Sequence, residues 1–263
     1  MRTVFKKEMI LRLKSLLIWS FSVGALGLVC ILLYQSMEGE MKDMADAFSN
    51  MGAFSEAFGM STLSIATMKG YFATEVGTVH GLGSGMFAAI TAITVISGEE
   101  DGHTGEFLFS LPLSRTKILA AKALCVFVML LVFTAVCTCF YMVGFMMVGE
   151  EVPAGQFLTF MVRQFVMDAE IAGICFGLSS LAGKNRTGLG LGTALFLYAY
   201  DVFGRVVPDL KDYLFLGPFS YANASEIFTD ADFPAKALFV GTLITVCAVV
   251  FAFFNYNRRD LAS

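Results

Sequence analysis

Charge is scarce in this chain. Only 15% of its 263 residues are Asp, Glu, Lys or Arg, against about 25% in ordinary soluble domains. With 57% hydrophobic residues and a mean hydropathy of +0.72, that scarcity excludes an ordinary soluble globule. It points to a single polytopic membrane domain. No Gly-x-x-x-x-Gly-Lys-Ser/Thr phosphate loop occurs. The one Gly-Lys pair, Gly183-Lys184, follows Leu181-Ala182 and runs into Asn185. Any ATP hydrolysis that drives this protein therefore belongs to another polypeptide. The two histidines, His80 and His103, have no zinc-ligand spacing, and there is no Gly-x-Ser-x-Gly elbow. An intramembrane enzyme would lack both a metal ligand set and a nucleophile–base pair. The six cysteines lie in apolar runs without a Cys-x-x-Cys pair, as buried small hydrophobes rather than a disulfide framework. Internal repeats, low-complexity tracts and soluble-domain linkers are also missing, and nothing points to a nucleic-acid partner.

What is present is a series of long apolar runs. Ser15–Ser36 is an uncharged run of 22 residues behind Arg2, Lys6, Lys7, Arg12 and Lys14. It is longer than the ~7–15 residues of a signal-peptide core and lacks a small-residue cleavage site, so it reads as an uncleaved first span. Further spans are expected at about 78–98, 118–148, 157–183, 187–206 and 236–257, giving six transmembrane helices in an all-α membrane protein (domain 1–263). Between the first two spans, Met37, Met41, Met44, Phe48, Met51 and Phe58 recur at helical spacing among acidic residues and Lys42. That pattern predicts an amphipathic outer helix, too polar to span. Gly81, Gly83 and Gly85 allow close helix approach or a bend in the second span. Residues 207–235 form an outer loop. Its apolar piece Tyr213–Phe219 is too short to cross and long enough to dip into the membrane.

Basic residues are distributed asymmetrically. Arg2, Lys6, Lys7, Arg12, Lys14, Arg115, Lys117, Lys122, Lys184, Arg186, Arg258 and Arg259, twelve of the eighteen Lys and Arg, flank one side of the six spans. The positive-inside rule places that side, and both termini, in the cytoplasm. The most charged stretch, Ser97–Lys117, then also faces the cytoplasm. Gly102 breaks the second span after Glu99-Glu100-Asp101. Thr104 is a candidate N-cap, with Glu106 in the first turn where the helix dipole favours an anion. Phe107, Leu108 and Leu111 share a face, Pro112 stops the helix, and Ser114 caps the third span. The product is a surface helix of about two turns.

Charges also sit within the spans. Asp168 and Glu170 lie inside the fourth, Glu170 ~16 Å from the inner boundary and so near the midplane. Arg163 is near the outer surface, while Asp201 and Arg205, four apart, are placed to pair. Deep acids are costly and face the bundle interior. Arg163, Asp168, Glu170, Asp201 and Arg205 are therefore candidates for a substrate or ion route. The alternative is interhelical pairing, such as Arg205 with Asp168, that only stabilises the bundle.

The order Glu99-Glu100, Gly102, Gly105-Glu106-Phe107-Leu108, Ser110-Leu111-Pro112-Leu113-Ser114-Arg115 and then Lys122 resembles the ABC-2 type permease family. These are the membrane subunits of ATP-binding-cassette exporters. The Thr104-Gly105 order is inverted relative to the family's usual form, and Asp101-Gly102-His103 lengthens the approach. The resemblance covers essentially the whole chain. It implies that Glu99, Glu100, Gly105, Glu106, Phe107, Leu108, Ser110, Pro112, Ser114 and Arg115 form a cytoplasmic coupling helix, seated in a groove of an ATP-binding-cassette ATPase subunit. It implies no cofactor and no metal on this chain, with ATP and magnesium held by that ATPase. It also implies a second permease chain, identical or homologous, in a lipid bilayer, and export across the plasma membrane of a bacterial cell. The rival class is an ion-coupled secondary transporter using Asp168, Glu170 and Asp201; the absence of an inverted repeat speaks against it.

Overall fold

The structure, a computed structural model, describes residues 1–52, 55–56, 60, 63–101, 113–150, 153–181 and 186–258; for 38, 41–44, 46, 48 and 99–101 it describes the backbone alone. Every regular element among the described residues is helical. Helix α1 runs from Arg2 to Ser49 and α2 from Met68 to Tyr71. A π-helical turn, Phe72–Val76, leads from α2 directly into α3, Gly77–Asp101. Then come α4 (Arg115–Val148), α5 (Ala154–Ser179), α6 (Thr187–Val206) and the short α7 (Pro208–Lys211). Two 3-10 turns, Leu214–Leu216 and Pro218–Tyr221, precede α8 (Ala224–Phe228) and α9 (Ala235–Arg258).

Four stretches are long and apolar enough to cross a membrane: Arg2–Met37, Met68–Gly98, Arg115–Val148 and Ala235–Arg258. Two more long helices, α5 and α6, carry the internal charges. The expected separate outer helix is a correction. Helix α1 does not stop at Ser36; its 48 residues form one rod of ~72 Å, far longer than the ~30 Å hydrocarbon core. The reason lies in residues 37–49, where Met, Glu, Lys and Ala are good helix formers that carry the helix past Gly39. The second helical stretch also begins earlier than expected, at Met68, because Thr67 caps it: its Oγ1 accepts the Gly70 N–H at 3.1 Å.

Helix α3 is the centre of the bundle, packed by α5, α6, α1 and α4, while α9 lies on the far side of α5. Gly83 permits the approach of α1, since a Cβ there would stand 2.6 Å from Val23 Cγ2. At the end of the bundle away from both termini the Phe72 ring sits 5.2–6.0 Å from the rings of Tyr141, Phe145, Phe157, Phe160 and Phe228. It joins the π-helical turn to α4, α5 and α8. The apolar piece around Gly217-Pro218 packs inward among α5, α6 and α9.

The surface is apolar. Phe196 is 68%, Phe239 71% and Met146 80% exposed. Charged and polar side chains occupy the interior, with Lys122, Asp168 and His80 fully buried and Glu8 and Glu170 nearly so. Large outward apolar faces over a core holding charge are the arrangement a lipid solvent selects.

Candidate functional site

Helices α3 and α4 bracket the charged stretch. Gly105, Glu106, Phe107, Leu108, Ser110 and Pro112 lie outside the described residues, and Glu99 and Glu100 are placed by backbone only, in the last turn of α3. From the far end the geometry is explicit. Ser114 caps α4, its Oγ accepting the Lys117 N–H at 3.4 Å. Arg115 donates from Nη1 to the Asn257 carbonyl at 3.4 Å, and so ties the start of α4 to the end of α9.

Behind the bracket lies a buried ionic cluster that sequence reading missed. Lys122 Nζ meets Glu8 Oε1 at 2.8 Å and also donates to the Val95 carbonyl. Arg12 Nε meets the other Glu8 oxygen at 3.3 Å. Its Nη1 and Nη2 donate to Thr94 Oγ1 at 2.6 Å and to the Thr94 carbonyl at 2.8 Å. The first helix is thereby clamped to both helices that carry the bracketed stretch. Arg12 was legible only as inner-side flanking charge, Lys122 as that and as the last residue of the family pattern, and Glu8 was not singled out. The available signal was the four-residue spacing of Glu8 and Arg12, which puts them on one helix face.

The internal charges of α5 and α6 do not form one site. Arg205 holds Asp201 with Nε at 2.8 Å and Nη2 at 3.2 Å, while Nη1 reaches Glu226 Oε1 at 2.6 Å. This fastens α6 to α8. The alternative pairing of Arg205 with Asp168 is corrected, because all of these guanidinium contacts go to Asp201 and Glu226. Arg163 stands 5.7 Å from the Phe233 ring in the outer loop. Asp168 is fully buried, and neither of its carboxylate oxygens has a hydrogen-bond partner among the described residues.

Glu170 Oε2 accepts from the Tyr221 hydroxyl at 2.7 Å, and its Oε1 is unpartnered. The same carboxylate lies flat against Gly241 of α9, where any Cβ would overlap it. Glu170 thus joins α5, α9 and the turn ending at Tyr221. Glu170→Gln keeps an oxygen for Tyr221 and fits the same space. Normal expression with lost transport is the outcome expected of a route-lining group; unchanged transport assigns Glu170 to bundle packing alone.

Together, the apolar exterior, the spanning helices and the buried ionic contacts define an integral membrane protein built as a helical bundle. The family model described as ABC-2 family transporter protein matches residues 2–261, and the chain belongs to that family. Its members are membrane transport subunits, generally without enzymatic activity of their own, that work with an ATP-binding-cassette ATPase. Against curated proteins the chain gives no match.

Proposed function

We propose that this chain is the transmembrane permease subunit of an ABC exporter, in which residues 99–115 dock on a separate ATPase and convert its nucleotide cycle into movement of the membrane helices. The observation that carries this reading is the clamp behind the charged stretch. Glu8, Lys122, Arg12 and Thr94 bind α1, α3 and α4 into one unit near the end of α3 and the start of α4, the two helices that the charged stretch connects in sequence. A push on a stretch held by two clamped helices moves those helices together, as a rigid-body transition requires. Six spans are assigned by adding α5 and α6 to the four strongly apolar stretches, with both termini cytoplasmic in the plasma membrane. A second permease chain, identical or homologous, completes the translocation unit, and ATP and magnesium are held by the ATPase.

The test is made on the assembled transporter. Glu106→Lys and Phe107→Ala are expected to leave membrane insertion intact, to remove the co-purifying ATPase and to abolish ATP-driven transport. Normal assembly and transport with both substitutions would overturn the docking assignment.

A further inference from the structure

Helices α3 and α5 meet along a seam with Gly77 near Phe160 and Gly81 near Gln164. Phe160, Gln164 and Asp168 are spaced by four and share one face of α5, as His80 and Ser84 do on α3. Hydrogen bonds along this seam leave a surplus of unpartnered groups. Gln164 Nε2 donates to the Ala222 carbonyl at 2.9 Å, and its Oε1, 3% exposed as a residue, is unpartnered. The Ser84 hydroxyl is turned to the Gly81 carbonyl at 3.4 Å. His80 Nδ1 and the Tyr141 hydroxyl are 2.8 Å apart, which leaves His80 Nε2 unpartnered. Among the described residues both oxygens of Asp168 lack a hydrogen-bond partner at 0% exposure, with the Ser84 hydroxyl on the facing helix close enough to turn to them. The groups within reach of Asp168 are Ser84 from α3, Cys137 from α4 and Tyr221 from the turn. None of them is a fixed cation, and Arg205 is committed to Asp201 and Glu226. An ionised carboxylate left there alone costs several kcal/mol.

A cavity of about 50 Å³ opens beside this seam on the outer side, lined by Gly81, Gln164, Asp201, Phe219 and Ser225 among others. That is room for about three waters. Gln164 forms part of its wall, and Asp168 follows one helical turn further in, ~6 Å along α5. We propose that Asp168 is the binding point for one unit of positive charge, a proton or a small monovalent cation, taken up and released through the outer cavity past Gln164. The site supplies carboxylate and amide oxygens without a fixed cation, which is the complement of such a ligand. The assignment is independent of the ATPase reading, because it concerns occupancy of the bundle and not its coupling.

The experiment uses the full chain purified in detergent. Its thermal unfolding midpoint is followed across pH at constant ionic strength, and across Na⁺ and K⁺ concentration at constant pH, with Asp168→Asn and Glu170→Gln in parallel. The wild-type midpoint is expected to shift steadily with ligand concentration over the binding range, as linkage demands. Asp168→Asn should lose that shift and Glu170→Gln should retain it. Dependence on pH without preference for Na⁺ or K⁺ identifies the proton; dependence on Na⁺ or K⁺ at fixed pH identifies the metal cation. Identical profiles for wild type and Asp168→Asn overturn the proposal. Should Asp168→Asn not fold, an apolar carbodiimide, which attacks neutral carboxyl groups, is applied to the wild type and mapped by mass spectrometry. Modification of Asp168 that is suppressed at alkaline pH or by one of the cations supports the site, and a modification pattern at Asp168 indifferent to both overturns it.

Discussion

Lys122→Met is expected to lower the stability of the folded chain by about 3–5 kcal/mol, the cost of leaving a buried charge without its partner. Lys122 is fully buried, and its ammonium is held by Glu8 and by the Val95 carbonyl. Removing it strands most of the Glu8 charge, because Arg12 is the more exposed partner and the longer contact, at 3.3 Å. Glu8→Met should cost at least as much, since it leaves two cations facing each other at the junction of α1, α3 and α4. The combined change Glu8→Met with Lys122→Met should cost distinctly less than the sum of the two single changes, because it removes the stranded charge and fills the space with apolar volume. The measurement is a double-mutant cycle on the thermal midpoint of the purified protein. Strict additivity would show that the pair is not energetically coupled.

The second large effect is expected at Arg205. Arg205→Leu removes both contacts to Asp201, a residue only 6% exposed, and should cost about 3 kcal/mol or more through the uncompensated acid. The substitution also unfastens α8, so a protease should cut the 207–235 region faster at temperatures where α1, α3 and α4 are still intact. Glu226→Ala on the same guanidinium is expected to cost only about 0–1 kcal/mol, because the Glu226 side chain is 46% exposed and its pairing is largely solvated. Equal effects at the two positions would contradict the division between a buried and an exposed partner.

The long apolar helices were legible because a lipid-facing helix must be apolar over most of its length, and that leaves an unmistakable run in the chain. The expected 236–257 is close to α9, Ala235–Arg258, one of the four stretches long and apolar enough to cross, and the expected 187–206 coincides with the helix α6, Thr187–Val206. Local pairing was legible for the same kind of reason. Asp201 and Arg205 sit four apart, and the helix alone brings them together. Partnership across the bundle was not. Glu8 and Lys122 are separated by 114 positions, and Glu170 and Tyr221 by 51. Neither spacing carries a periodic signal, and which charge meets which is decided by helix rotation. The length of α1 was hidden for a different reason. A change from apolar to polar composition after Ser36 marks where the membrane ends, and it was read as the place where the helix ends; helix propensity recognises no such boundary. Asp168 was legible as costly, but only the bundle reveals that no cation pairs with it, since Arg205 is committed to Asp201 and Glu226.

The unbroken rod of α1 has a mechanical consequence. The ionic clamp grips it at Glu8 and Arg12, and the helix continues to Ser49, ~55–60 Å beyond the grip. Around such a pivot a tilt of about 5° carries the far end through ~5 Å, roughly the rise of one helical turn. The helix is thus a lever with its short arm among the buried charges of the clamp and a long arm of more residues than a ~30 Å hydrocarbon core requires. An angular change too small to disturb the packing at the clamp becomes, at the other end, a displacement the size of a side chain.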